Sequence, residues 1–267
     1  MRHLVLDIAY DFVPKQRTLR TAQVMDLFGV DFEQGRHVVA EKLCLPIQAG
    51  DVVLFTGPSG SGKSSLLRAS SATLETEGCR IVWPDRLDLP EQPLVDALPV
   101  PLQDALDLLA ACGLSEARLL LRTPSELSDG QRYRFRLALG LAGCRDTAEA
   151  APSFLAADEF TATLDRTLAK VVAFNLRRLA DRRRVGFLLA TTHEDVADDL
   201  APDLHVRCDL DGRITVIEQR SDPSQVPPRK RTISFFPISG SPPAPDPTGR
   251  TLLAGTTAVI TSASSAE

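Results

Sequence analysis

The chain has 267 residues, enough for one large domain or two small ones. With 43% apolar and 24% charged residues, it can bury a core without disulfide or metal staples. A net charge of −5 argues against a generic nucleic-acid coat. No apolar run approaches the roughly 20 residues that cross a bilayer, and the opening residues Met1 to Asp7 are charged too early for a secretory signal. Cysteines 44, 79, 112, 144 and 208 form no CxxC pair, so the expectation is a reduced, cytoplasmic protein without a zinc site.

In chain order, residues 52–56 form a short apolar run that predicts a buried strand, and 64–72 predict the helix after it. Residues 103–111 carry Ala105, Leu106, Leu108 and Leu109 at helical spacing. Helices are also predicted over 131–143 and 167–183, buried strands over 154–157 and 185–190, and an exposed strand over 213–218. Alternating strands and helices predict an α/β domain over residues 1–220. Proline then becomes dense, at Pro223, Pro227, Pro228, Pro242, Pro243, Pro245 and Pro247. Proline removes backbone donors and blocks helix and ladder alike, so 221–267 reads as a largely disordered tail.

The strongest local signal is Gly57-Pro58-Ser59-Gly60-Ser61-Gly62-Lys63-Ser64, followed by Ser65. It matches the phosphate-loop pattern G-x-x-x-x-G-K-[ST] between a predicted strand and a predicted helix. Glycines let backbone N–H groups converge on phosphate oxygens, and the helix adds its positive N-terminal end. Lys63 is placed to reach the β- and γ-phosphates, and the Ser64 hydroxyl to ligate Mg²⁺.

Asp158 and Glu159 follow the apolar run Leu155-Ala156-Ala157. Asp158 is a candidate Mg²⁺ holder, and Glu159 a candidate for polarising attacking water. Leu127-Ser128-Asp129-Gly130-Gln131 opens another predicted helix, whose N-terminus offers a second anion site beside its ordinary role as a capped helix end.

Taken together, these motifs resemble the ATP-binding-cassette (ABC) ATPases. Gly57 to Ser64 matches the Walker A loop, and Leu127 to Gln131 resembles the LSGGQ signature with Asp129 in place of its first glycine. Asp158 and Glu159 match the Walker B aspartate and catalytic glutamate. Thr163-Leu164-Asp165 resembles the D-loop, and His193 matches the switch histidine. The stretch Leu127-Ser128-Asp129-Gly130-Gln131-Arg132-Tyr133-Arg134 is also similar to a small prokaryotic and viral group of ABC-type ATPases.

The resemblance implies a phosphate-loop NTPase with a RecA-like core, a short helical insert near 93–145 and an N-terminal antiparallel β subdomain. It implies ATP and Mg²⁺ as ligands. It implies a head-to-tail homodimer with ATP between Walker A of one chain and Ser128, Gly130, Gln131 and Asp165 of the other. Lys63, Glu159 and His193 would serve the chemistry, and Ser64, Asp158 and Gln92 the metal. Phe28, in Leu27-Phe28-Gly29, is the expected adenine-stacking aromatic, with Phe32 as runner-up, and Gln92 the expected Q-loop glutamine. The short stretch from Gln92 to Ser128 leans toward a soluble machine acting on a protein or nucleic-acid partner. An ATP-binding subunit working with a separate membrane chain is the alternative. A small-molecule kinase on the same loop is disfavoured by the signature and His193.

Overall fold

The computed structural model describes residues 2–144 and 151–219. The expected tail over 221–267 lies outside the described residues. Two strands, β1 (Arg2–Asp11) and β2 (Arg36–Ile47), pair antiparallel, with α1 (Leu19–Phe28) between them in sequence. Leu4, Leu6 and Ile8 alternate with exposed residues in β1, so this small sheet buries one face. Helix α1 starts at the Thr18–Thr21 capping box and stops at Gly29, whose left-handed backbone closes the last turn. Met25 is the one residue buried along this helix, which explains its weak trace in the sequence.

The main sheet follows. Its members are β3 (Val52–Thr56), β4 (Arg80–Val82), β5 (Ser153–Ala157), β6 (Gly186–Thr191), β7 (Leu204–Cys208) and β8 (Ile214–Glu218). Their spatial order is β4-β5-β6-β3-β7-β8. All neighbours are parallel except β8, which runs antiparallel to β7. Helix α2 (Lys63–Thr76) follows β3. Between β4 and β5 come α3 (Leu94–Ala97), α4 (Leu102–Ala111), α5 (Ala117–Leu120) and α6 (Asp129–Gly143). Helix α7 (Arg166–Arg183) precedes β6, and the short α8 (Ala197–Leu200) precedes β7.

The apolar runs of β3, β5 and β6 are continuous because both faces of the sheet are covered. Val53, Phe55, Phe154, Ala156, Leu188 and Ala190 face α2 and the β1–β2 sheet. Val52, Leu54, Leu155, Ala157, Phe187 and Leu189 face the helices α4, α6 and α7. The result is three layers, with the small antiparallel sheet adding to one of them. Ligands of such parallel sheets bind beyond the carboxyl ends of the strands. Here those ends are Thr56, Ala157 and Thr191, on three adjacent strands.

Candidate nucleotide site

A cavity of about 530 Å³ lies beyond those strand ends. Walker A residues Ser59, Gly60, Gly62, Lys63, Ser64 and Ser65 line it, together with Asp158, Glu159 and His193. Thus the segments after β3, β5 and β6, far apart in sequence, meet around one space.

Two glycines of the loop are required by close approach. A Cβ on Gly57 would sit 2.0 Å from the Cys208 carbonyl oxygen, so the start of the loop packs on β7. A Cβ on Gly62 (φ +90°) would meet Val39 at 2.5 Å, so β2 presses on the end of the loop. Gly62 leads directly into Lys63, the first residue of α2. Lys63 is 8% exposed, and its Nζ donates to the Pro58 carbonyl at 2.6 Å. Burial lowers the ammonium pKa, opposed by the nearby Cys208, Asp158 and Glu159.

Ser64 Oγ donates to Asp158 Oδ1 at 2.9 Å. Asp158 also accepts from the Glu159 N–H at 3.1 Å and pairs with Arg68 at 3.4 Å. Ser64 and Asp158 are hard oxygen donors in contact, which suits Mg²⁺, an ion that takes one or two protein oxygens and fills its shell with phosphate and water. Among the described residues no cluster of three or more His, Cys, Asp or Glu offers a protein-only metal cage. Glu159 is exposed and holds φ +50°, a left-handed backbone that costs a non-glycine residue about 1–2 kcal/mol. Such strain is characteristic of functional positions.

His193 is held from two sides. Its backbone N–H donates to Thr191 Oγ1 at 3.1 Å, and that hydroxyl lies 2.6 Å from Thr161 Oγ1. Its ring Nδ1 lies 2.8 Å from the Arg166 guanidinium, just inside α7. Asp165 caps α7, its carboxylate accepting from the Leu168 N–H at 2.9 Å.

Several expected residues are not in this cavity. Phe28 is 69% exposed at the end of α1 and does not line it. The inserted helix carries the aromatic–glycine pair away, and the residues delivered to the loop by the β1–β2 sheet are Val39, Tyr10 and His37. Tyr10 and His37 face each other in the strand register. Sequence reasoning missed Tyr10; the alternation of Leu4, Leu6 and Ile8 just before it was the available signal. Gln92 is also exposed outside the cavity, in a turn where its N–H donates to the Pro90 carbonyl at 2.9 Å. The backbone of Leu94 is bonded to Arg122, which ties the following segment to the helical layer.

Ser128, Gly130, Gln131 and Asp165 also lie outside their own chain's cavity. Ser128 and Gln131 form a capping box at the start of α6: Ser128 Oγ accepts from the Gln131 N–H at 3.4 Å, and Gln131 Oε1 accepts from the Ser128 N–H at 3.1 Å. The Ser128 hydroxyl proton remains available to an anion. Asp129 turns to Arg132, 3.2 Å away, while its side chain stays 94% exposed. Gly130 packs against the Thr163 backbone, where a Cβ would come within 3.0 Å of the carbonyl oxygen.

No family model matches the chain. It is 31% identical over 207 residues to the phosphonates import ATP-binding protein PhnC of Hyphomonas neptunium, covering 62% of this chain and 76% of that protein. It is 31% identical over 208 residues to the aliphatic sulfonates import ATP-binding protein SsuB 2 of Paraburkholderia xenovorans, covering 73% and 81%. The lipoprotein-releasing system ATP-binding protein LolD of Nitrobacter winogradskyi is 28% identical over 206 residues, covering 63% and 85%. Among solved structures, the ATP-binding cassette MJ0796 in a dimeric post-hydrolysis state with ADP and Pi superposes with a TM-score of 0.51. At 19% identity over 72% of this chain and 96% of that one, this likeness concerns the fold. The chain belongs to the ATP-binding-cassette family and is an ABC-type ATP hydrolase.

Proposed function

We propose that this chain is the ATP-hydrolysing subunit of an ABC transporter whose membrane-spanning part is a separate chain. The observation that carries this reading is the similarity to PhnC and SsuB, each named as the ATP-binding protein of an import system. LolD, at 28% identity, is named for a releasing system, and transport assays decide the direction. Among the described residues no helix is long and apolar enough to cross a membrane. The sequence expectation of a soluble machine rested on the short helical insert and the absence of a membrane segment; the relatives favour the transporter alternative over it.

In this reading ATP occupies the cavity with its phosphates against the Walker A loop. Backbone N–H groups of the loop and Lys63 bind the β- and γ-phosphates, and entry of the triphosphate turns Lys63 from the Pro58 carbonyl to phosphate oxygen. Ser64 and Asp158 would hold Mg²⁺, which neutralises phosphate charge when bound. Glu159 accepts hydrogen bonds from the attacking water and draws off its proton as the water oxygen bonds to the γ-phosphorus and the bond to the departing ADP oxygen breaks, giving ADP and phosphate. His193 donates to the γ-phosphate. Ser128, remote from its own cavity, serves the nucleotide of a second copy in a head-to-tail dimer. Closure over ATP and opening after phosphate release then drive the membrane partner.

The test uses the full chain with Glu159→Gln to slow turnover. Expression with Mg-ATP and affinity capture from detergent-solubilised membranes should recover integral membrane proteins encoded by the same cell. Capture of soluble proteins alone would favour the soluble machine. Wild-type ATP binding by Lys63→Ala would overturn the assignment of the cavity itself.

A further inference from the structure

We infer that Arg166 is a positioning residue that fixes the tautomer of His193, an inference that rests on the proposed role of His193 at the γ-phosphate. The guanidinium of Arg166 lies 2.8 Å from the Nδ1 atom of His193. An arginine has donors and no acceptor, so at this contact Nδ1 must be the acceptor. The ring proton is therefore on Nε2, and the ring of His193, which lines the cavity, presents a donor there.

The arginine is itself fixed. A second nitrogen of its guanidinium pairs with Asp195 Oδ2 at 3.0 Å, and Lys170 approaches the same oxygen at 3.8 Å. The neighbouring Glu194 is engaged by Arg207. Arg166 thus spans a carboxylate and an imidazole and sits on the first turn of α7, directly after Asp165. The Thr161–Thr191 bond makes a second tie between the same two segments. Both the water-polarising segment after β5 and the histidine segment after β6 are therefore locked in one arrangement. Without Arg166, Nδ1 can carry the proton, and the donor toward phosphate is lost in that fraction of molecules.

The chain has four histidines, so ring ¹⁵N spectra of histidine-labelled protein can be resolved and His193 assigned with a His193→Gln variant. The wild-type ring should show the Nε2–H tautomer without nucleotide. In Arg166→Ala the spectrum should become a mixture of tautomers, and kcat should fall about 10- to 100-fold with little change in KM for ATP, the scale of losing a partner that orients a functional histidine. Arg166→Lys, which also only donates, should restore the tautomer and most of kcat. An Nδ1–H tautomer in the wild type, or an Arg166→Ala protein with unchanged spectrum and kcat, would overturn the inference. If His193→Ala hydrolyses ATP like wild type, the γ-phosphate role of His193 fails instead; the spectra report the Arg166 effect independently of that outcome.

Discussion

Ser64 Oγ donates to Asp158 Oδ1 at 2.9 Å, joining the first turn of α2 to the end of β5 although β6 lies between β3 and β5 in the sheet. In the proposed site this pair would be a two-oxygen seat for Mg²⁺. Asp158→Asn keeps an oxygen that can accept from Ser64 and removes the charge that a divalent ion requires. A charged hydrogen-bond partner is worth about 1.5–3 kcal/mol. The Mg²⁺-dependent part of ATP affinity should therefore fall about 10- to 100-fold, while binding in EDTA stays near wild type. Titration of a fluorescent ATP analogue with and without Mg²⁺ checks this; an unchanged Mg²⁺ effect would remove Asp158 from the metal.

Where both faces of a strand are buried, the sequence made it plain. β3, β5 and β6 are uninterrupted apolar runs because one set of their residues meets α2 and the other meets α4, α6 and α7. The motifs follow these runs directly, so Lys63, Asp158 and Glu159 stood out as candidates beside the strand ends, and the family resemblance added His193. Other parts were hidden for physical reasons. In β7, His205 and Arg207 interrupt the run because one bonds to Thr56 and the other to Glu194. Helix α1 buries too little to leave a stripe. Tyr10 continues the alternation of Leu4, Leu6 and Ile8, but its place at the cavity also depends on pairing with His37, a residue far away in sequence. Arg166 reads as an ordinary basic helix residue until His193 is seen beside it.

If Glu159 acts as proposed, its left-handed backbone sets function against stability. Glu159→Gln keeps the strain and removes the charge, so kcat should fall about 10²–10⁴-fold with ATP binding retained and the melting temperature unchanged. Glu159→Gly should be as inactive but should relieve the strain, partly offset by a more flexible unfolded chain. A net gain of about 1 kcal/mol would raise the melting temperature by about 2–4 °C. Thermal melts of the three proteins in the absence of nucleotide decide it; a Glu159→Gly protein that melts below wild type would contradict the strain.

The signature segment separates two roles. Ser128→Arg places a long cation where the proposed second copy's phosphate would come, yet touches nothing in its own chain's cavity. Monomer affinity for ATP should stay near wild type, while turnover and ATP-dependent dimerisation are lost. Asp129→Gly should keep turnover, because Asp129 faces Arg132 and solvent. Its exposed ion pair is worth about 0–1 kcal/mol. Turnover assays with size-exclusion chromatography in Mg-ATP distinguish these outcomes, and wild-type activity in Ser128→Arg would remove the segment from the nucleotide.

His205 gives the fold a pH dependence of calculable sign. It is buried in β7, where its Nε2 lies 2.8 Å from the Thr56 hydroxyl at the end of β3. Burial lowers its pKa below 6.5, Arg207 adds to the lowering, and Glu194 opposes it. Between the folded pKa and 6.5 the unfolded chain binds a proton that the folded chain does not. Stability from this group is therefore complete above 6.5 and is lost as pH falls through the window below it. Wild-type protein should lose more melting temperature between pH 7.5 and 5.5 than His205→Gln, whose amide can still meet Thr56 but does not titrate. The comparison isolates His205, because every other ionisable group is common to both proteins. Equal losses in the two proteins would show that the imidazole is as easily protonated in the folded chain as in the unfolded one.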